Sequence, residues 1–213
     1  MKLYLSSYFL GNQPERLAAL VGANKKVGII MNAGDIYGNE KRPSYLANET
    51  AKMKELGLEA EELDLRDYYA DNSSLKAVLE SYGLLWVMGG NSFVLRRAMR
   101  MSGFDKVITD LVENGSLVYG GFSAGSVVAT TTLRGIELVD DPNQVPEGYD
   151  AEIVWEGLGF TDFSIAPHYK SDHPESEAID TVVEYFEKEK LPYKAISDGQ
   201  AIIIDGSNIE IID

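Results

Sequence analysis

The sequence of 213 residues contains no cysteine, two histidines and only 19 basic residues against 34 acidic ones. The absence of cysteine excludes disulfides, thiolate zinc sites and a catalytic thiol, and it fits a reducing compartment. The net charge of −15 repels phosphate backbones, so we expect no nucleic-acid partner. No run approaches about 18 uncharged apolar residues, and the first apolar run is too short for a signal peptide, so we expect no membrane association. The expected location is therefore the cytoplasm.

Hydrophobic residues make up 45% of the chain and aromatic residues 10%, which is enough to bury a core. Continuous apolar runs, as at 26–31 and 84–88, indicate strands that are covered on both faces, and helical patterns follow such runs repeatedly. The predicted strands here are 26–31, 58–65, 84–88 and 116–119, and the predicted helices are 44–56, 73–82, 93–101, 105–113 and 124–130. This alternation predicts an α/β fold with a doubly wound, mostly parallel sheet and helices on both faces.

The last third of the chain has short strand-like runs around one long predicted helix, 175–190. The predicted strands of this part are 136–139, 151–155, 163–166, 193–197, 200–204 and 208–212. The last two are separated by Asp205-Gly206-Ser207, which predicts a C-terminal hairpin. Since we find no repeat and no long linker, residues 1–213 are predicted to form a single domain.

The segment from Gly121 to Gly125 matches G-x-S-x-G, the pattern of a nucleophile elbow. In such an elbow, a serine hydroxyl lies on a sharp turn between a strand and a helix, and small neighbours let the turn form. The amide after Ser123 would then face an oxyanion at the helix N-terminus. The alternative interpretation is a glycine-rich turn that Ser123 caps and that binds a phosphate.

A nucleophilic serine needs a base and an acid that orients the base. His168 follows a strand-like run and is the candidate base, whereas His173 lies in a polar stretch and is expected to be a solvated loop residue. The candidate acids are Asp140 and Asp141, which precede His168, and Asp198, which follows it. Spacing leaves this choice open, because the same triad geometry occurs with several chain orders.

A second glycine-rich turn, Gly89-Gly90, follows the predicted strand 84–88. It would start the next helix, and it could also supply an oxyanion donor or hold a phosphate. It has neither a dinucleotide fingerprint nor a nucleoside-triphosphate loop. No His, Asp or Glu cluster has metal-ligand spacing along the sequence, so we expect no metal and no organic cofactor.

Four motifs in one order make the sequence similar to the peptidase E (α-aspartyl dipeptidase) family of serine peptidases. They are Trp86–Phe93, Tyr119–Gly125, Ile165–Tyr169 and Ile196–Ala201. The resemblance implies a fold similar to that of class I glutamine amidotransferases. It also implies that Ser123 is the nucleophile, His168 the base and Asp198 the third member of the triad. The amides of Gly90 and Ala124 would form the oxyanion hole.

The sequence departs from the aspartyl-specific members where they carry an arginine after the histidine. Glu177 stands at that position here, and a like charge would repel an aspartyl side chain. We therefore predict that dipeptides with N-terminal Asp are poor substrates. Asn91 and Glu177 are the candidate substrate-binding residues.

The expected function is that of an intracellular serine peptidase acting on short peptides, with a small peptide as its partner and a possible homodimer as its assembly. One alternative is an amidase, or a glutamine-amidotransferase-like enzyme, that acts on a non-peptide amide with the same triad. Another is a non-enzymatic module that binds an anion in its two glycine turns.

Overall fold

The computed structural model describes residues 1–38 and 40–213. Its strands are β1 (Lys2–Ser6), β2 (Lys26–Ile30), β3 (Glu59–Glu62), β4 (Leu84–Val87), β5 (Val118–Phe122), β6 (Ser164–Ala166), β7 (Tyr193–Ala195), β8 (Ala201–Asp205) and β9 (Asn208–Ile212). Seven of them form one sheet in the order β3-β2-β4-β5-β1-β8-β9, and β6 pairs with β7 separately. The first five in that order run parallel, while β8 is antiparallel to β1 and forms the C-terminal hairpin with β9.

Helices cover both faces of the sheet. They are α1 (Pro14–Leu20), α2 (Arg42–Glu55), α3 (Leu75–Glu80), α4 (Ser92–Met101), α5 (Phe104–Glu113), α6 (Ala124–Val127) and α7 (Ser176–Glu189). Short 3-10 turns lie at Asn32–Tyr37, Leu65–Tyr68 and Ile136–Leu138. None of the helices within 1–38 and 40–213 has the length and apolar character that a bilayer crossing requires.

Strand β4 shows why the central strands are apolar throughout. Leu85 and Val87 point into the core cluster that contains residues of α4 and α5, whereas Leu84 and Trp86 point into the cluster that contains residues of α1 and α2. Because successive side chains of a strand alternate between faces, a strand covered on both sides has no polar position. The predicted mostly parallel α/β fold with a C-terminal hairpin is confirmed.

Two predicted strands are wrong. Residues 136–138 form a 3-10 turn, and 151–155 contain no strand. Ile136 and Val154 are nonetheless buried, so these apolar residues serve to pack loops rather than to extend a sheet. Two elements were missed, β1 and α1, and β1 lies between β5 and β8 in the main sheet.

The carboxyl ends of the parallel strands meet at one edge of the sheet. Ser7 follows β1, Gly89 and Gly90 lie just beyond β4, and Ser123 follows β5. This edge is the common position for binding sites in open α/β sheets. Both glycine-rich turns and the candidate nucleophile therefore come together there.

Candidate active site

Ser123 occupies a strained turn between β5 and α6. Its backbone has φ 48° and ψ −117°, a conformation that a residue with a side chain rarely adopts. The two glycines of the pattern are required by close packing. A Cβ at Gly125 would lie 2.1 Å from the carbonyl oxygen of Val87, and a Cβ at Gly121 would lie 2.9 Å from the same oxygen. We call residues 121–125 the elbow.

Hydrogen bonds tie the elbow to the end of β1. The backbone N–H of Ser123 donates to the carbonyl oxygen of Ser7 at 3.1 Å. The Ser126 hydroxyl donates to the carbonyl oxygens of Ser6 at 2.8 Å and of Gly121 at 2.9 Å. Since Ser126 is fully buried and directly follows the elbow, its hydroxyl is a structural group that holds the elbow against β1.

His168 lies two residues after β6, and its side chain is held by Asp198. The ring Nδ1 is 2.7 Å from Asp198 Oδ1. The Ser7 hydroxyl donates to the same carboxylate oxygen at 2.7 Å and accepts the backbone N–H of His168, also at 2.7 Å. We call Ser7, His168 and Asp198 the imidazole network. Sequence reasoning missed Ser7, because nothing in the pattern at the end of β1 distinguishes it from an ordinary strand end.

The imidazole network fixes the tautomer of the ring, and burial favours its neutral state. An ionised carboxylate only accepts hydrogen bonds, so Nδ1 carries the proton and Nε2 keeps a free lone pair. Burial lowers the pKa of His168, the hydrogen bond to Asp198 opposes this, and His173 lowers it further. His168 is 1% exposed, which explains why desolvation is the largest effect. A neutral ring with a free Nε2 can act as a proton acceptor.

The other candidate acids have different partners. Asp140 accepts the backbone N–H of Ser92 at 2.8 Å, at the start of α4. Burial raises the pKa of Asp140 to about 6, although the bonds from Ser92 oppose this. Asp141 accepts the backbone N–H of Asn143 at 2.9 Å. Of the three candidates, Asp198 is the one that contacts the His168 ring.

The turn at Gly89 and Gly90 packs directly against the elbow. A Cβ at Gly89 would lie 3.1 Å from the Cβ of Ser123. Gly90 has φ 137°, and a Cβ there would lie 2.5 Å from the carbonyl oxygen of Ala33. Ala124 is the first residue of α6, so its N–H has no acceptor within the helix. Within 1–38 and 40–213, neither the Gly90 nor the Ala124 N–H donates a hydrogen bond.

Ser123 and His168 line the same cavity, which has a volume of about 350 Å³. Its apolar and aromatic wall consists of Tyr8, Phe9, Met31, Tyr37, Tyr45, Met88 and Phe122. Its basic and acidic side chains, apart from the tyrosines of the wall, are Lys41, Arg42, His168, His173 and Glu175. Arg42 is paired with Asp35, Glu62 and Asp64, so its charge is neutralised inside the protein. In the described residues, the Ser123 hydroxyl makes no hydrogen bond to the His168 ring.

The two residues predicted to bind substrate have other positions. Asn91 is buried, its side-chain oxygen caps α4 by accepting the N–H groups of Phe93 and Val94, and its amide donates to the loop at Asp141 and Gln144. Glu177 is exposed in the first turn of α7. Neither Asn91 nor Glu177 is among the described residues that line the cavity.

His173 and Glu175 reach the cavity instead. His173, expected to be a solvated loop residue, stacks on His168 with ring centroids 3.7 Å apart and an angle of 8° between the planes. The Glu175 carboxylate lies 3.9 Å from His168 Nε2 and 4.0 Å from His173 Nδ1. Spacing along the sequence gave no sign of this group, because the turn between His168 and α7 folds the two segments onto each other.

Comparisons with known proteins agree on one family. A family model described as Peptidase family S51 matches residues 9–212. An uncharacterized peptidase of Listeria monocytogenes is 31% identical over 159 residues, which are 74% of this chain and 72% of that protein. Peptidase E of Escherichia coli is 35% identical over 105 residues, which are 49% of this chain and 42% of that protein.

Solved structures show the same fold. A candidate peptidase E protein from Listeria monocytogenes EGD-e superimposes with a TM-score of 0.78 at 25% identity, covering 99% of this chain and 97% of that one. A peptidase from an acI-B1 actinobacterium gives a TM-score of 0.69 at 16% identity, over 99% of this chain and 86% of that one. The second similarity concerns the fold alone.

Proposed function

The chain belongs to peptidase family S51 and is a serine peptidase, and on that premise we propose that Ser123, His168 and Asp198 form its catalytic triad. The reaction is hydrolysis of short peptides. The observation that carries the proposal is the shared cavity. Ser123 and His168 both line it, His168 is hydrogen-bonded to Asp198, and Gly90, whose N–H donates no hydrogen bond within the described residues, lines it as well.

In the first half of the reaction, the Ser123 oxygen attacks the scissile carbonyl carbon while His168 Nε2 takes the hydroxyl proton. The tetrahedral intermediate then collapses, the C–N bond breaks, and the imidazolium gives its proton to the leaving amine. Asp198 keeps the proton on Nδ1 and stabilises the imidazolium. Hydrogen bonds between a nucleophile and its base are commonly long before substrate binds and tighten afterwards.

The first half leaves the acyl group of the substrate as an ester on the Ser123 oxygen. In the second half, water attacks the carbonyl carbon of this ester while His168 Nε2 takes a proton from the water. Collapse of this second intermediate releases the carboxylic acid product and returns the proton to the Ser123 oxygen. The N–H groups of Gly90 and Ala124 stabilise the negative oxygen in both intermediates. The loss of one such donor typically costs about 3–4 kcal/mol of transition-state stabilisation.

The size and charge of the cavity support short peptides as substrates. A volume of about 350 Å³ is at the lower end of the range for small-ligand sites. The apolar wall suits uncharged side chains. The expectation that N-terminal Asp is disfavoured now rests on Glu175, which lines the cavity, rather than on the exposed Glu177, and the Lys41 side chain in the same cavity acts against it.

A fluorophosphonate probe tests the nucleophile, and a dipeptide library tests the reaction. We expect labelling and hydrolysis by the wild type, and neither by Ser123→Ala. Ser207→Ala is the matched control, because Ser207 is exposed in the turn of the C-terminal hairpin. Ser126→Ala would be unsuitable, since it removes a buried structural hydroxyl.

The same experiments distinguish the alternatives. Turnover of free carboxamides without turnover of any dipeptide would contradict the peptidase proposal and favour the amidase. A folded wild-type protein that the probe does not label would favour the anion-binding module. Comparison of dipeptides that begin with Asp, Ala, Lys and Leu then tests the predicted specificity, and a strong preference for Asp would refute it.

A peptide substrate follows from the family. The homodimer and the cytoplasmic location stay predictions from the sequence. Sedimentation of the full chain over a range of concentrations tests the first, and fractionation of the source cells tests the second.

A further inference from the structure

Three side chains beside the catalytic centre offer ligand atoms of the kind that zinc prefers. One atom each from His168, His173 and Glu175 can be chosen so that all three lie within 4.8 Å of one another. Two imidazole nitrogens and a carboxylate oxygen are a known donor set for Zn²⁺ sites that keep a fourth position open. All three residues line the cavity, so an ion could reach them from solvent.

The surroundings of His168 match those of a metal-binding histidine. Such a histidine usually donates its other ring N–H to a carboxylate, which fixes the ring and raises its basicity. Here Nδ1 lies 2.7 Å from Asp198, and Asp198 in turn accepts the Ser7 hydroxyl. The free Nε2 therefore has the tautomer and the support that coordination requires.

The Glu175 carboxylate is available as a ligand. Its side chain is 43% exposed and, in the described parts of the chain, accepts no hydrogen bond. Both nearby nitrogens are about 4 Å away, beyond hydrogen-bond distance. The net charge of −15 also favours the approach of a cation.

We propose that His168, His173 and Glu175 bind a divalent cation of the zinc type, with the fourth position open to the cavity, and that the bound ion inhibits the enzyme reversibly. The ion would occupy the Nε2 lone pair that must take the proton of Ser123. The inhibition rests on the proposed function, whereas the binding does not.

Binding requires a small rearrangement. The ligand atoms of a tetrahedral zinc centre are about 3.3–3.5 Å apart, so the group must contract by about 1 Å. The two rings are nearly parallel, and their lone pairs lie in the ring planes, so one ring must tilt. His173 is the ring that moves, because it is less buried than His168 and lies in the loop before α7. Its Nδ1 must also give up the 3.2 Å contact with the backbone N–H of Glu175.

Calorimetric titration of the full chain with ZnCl₂, in a buffer without chelators, tests the binding. We expect one site per chain, with affinity at least tenfold weaker in Glu175→Gln and in His173→Gln. Glu177→Gln is the matched control, since it changes an exposed carboxylate two residues after Glu175, in the first turn of α7, and it should bind as the wild type does. MgCl₂ should not compete, because Mg²⁺ prefers oxygen ligands. Cobalt(II) gives a second readout, through an absorption spectrum that indicates tetrahedral coordination.

Absence of zinc binding to the folded wild type would overturn the proposal, as would binding that Glu175→Gln and His173→Gln both leave unchanged. Binding at this site without loss of dipeptide hydrolysis would overturn the inhibition. If the wild type hydrolyses no dipeptide even without zinc, the proposed function fails, and the titration still decides whether the site exists.

Discussion

The elbow and the imidazole network are built in opposite ways. The elbow consists of five consecutive residues, and close packing of its two glycines on Val87 shapes it. The imidazole network joins Ser7, His168 and Asp198, which are up to 191 positions apart, through three hydrogen bonds of 2.7 Å. The first depends on the absence of side-chain atoms, and the second on the presence of particular polar atoms.

This difference determines how each region fails. An added methyl group in the elbow has no free space, so the backbone must shift and stability is lost. A changed polar atom in the imidazole network leaves the packing intact and alters protonation or orientation, so activity is lost. Ser7 connects the two regions, because its carbonyl accepts the N–H of Ser123 while its hydroxyl donates to Asp198.

The largest effect is expected for Asp198→Asn. The amide is the same size as the carboxylate but can donate to Nδ1, which favours the wrong tautomer of His168. We expect kcat/KM for a dipeptide to fall about 10⁴-fold, as in other triads, with an unchanged melting temperature. Asp141→Asn is the matched control. A loss in the control as large as that in Asp198→Asn would disprove the assignment of the acid.

Gly125→Ala tests the elbow. The new Cβ would lie 2.1 Å from the carbonyl oxygen of Val87 in β4, so the start of α6 must move away from β4. We expect the free energy of unfolding to fall by about 3 kcal/mol, measured by urea denaturation, together with loss of activity. Gly22→Ala is the control, because no atom lies within 4 Å of its Cβ position. It should change stability by less than about 0.5 kcal/mol. Equal stability of the two variants would show that steric packing does not shape the elbow.

Asp140→Asn tests an acid that is near Ser123 in the chain but outside the imidazole network. The pKa of Asp140 is raised to about 6 in the folded protein, so the folded state holds its proton more tightly than the unfolded state does. The wild type therefore loses stability as the pH rises from about 4 to 6, and Asn removes this loss while still accepting the N–H of Ser92. The difference amounts to about 2–3 kcal/mol at pH 7.

Urea denaturation of both proteins at pH 4 and pH 7 measures this effect. Relative to the wild type, the variant should have a higher free energy of unfolding at pH 7 than at pH 4. Its kcat/KM should fall less than tenfold. An identical pH dependence of the free energy of unfolding in both proteins would contradict the conclusion that burial raises the pKa of Asp140. A loss of activity comparable to that of Asp198→Asn would restore Asp140 as the candidate acid.

The smallest effect is expected for Ser7→Ala, which removes the hydroxyl but keeps the carbonyl that supports the elbow. We expect kcat to fall about 10- to 50-fold with little change in KM, because Asp198 loses a donor and His168 loses the acceptor of its backbone N–H. The acid limb of the pH profile should also move, since the orientation of the base changes. Ser7→Thr keeps the hydroxyl and should restore most of the activity. An unchanged kcat and pH profile in Ser7→Ala would show that the hydroxyl does not position the base.

The parallel strands and the elbow could be predicted from short segments. Continuous apolar runs at 26–31 and 84–88 mark strands covered on both faces, and both appear in the sheet. The same reasoning failed at 136–139 and 151–155, where apolar residues pack loops, because burial alone does not distinguish a strand from a buried loop. It also missed β1, although β1 is as long as the predicted strand β2.

By itself, the sequence determined the α/β architecture and the strand–serine–helix turn, because periodicity and glycine spacing act over a few neighbouring residues. Spacing left three acids open and the family resemblance implied Asp198, whose contact with the His168 ring the tertiary structure then showed. Only the tertiary structure decided that Ser7 joins this pair and that Glu175 rather than Glu177 faces the cavity. These contacts connect residues far apart in the chain, or depend on the rotation of a helix start, and such geometry exists only once the sheet and its loops have packed.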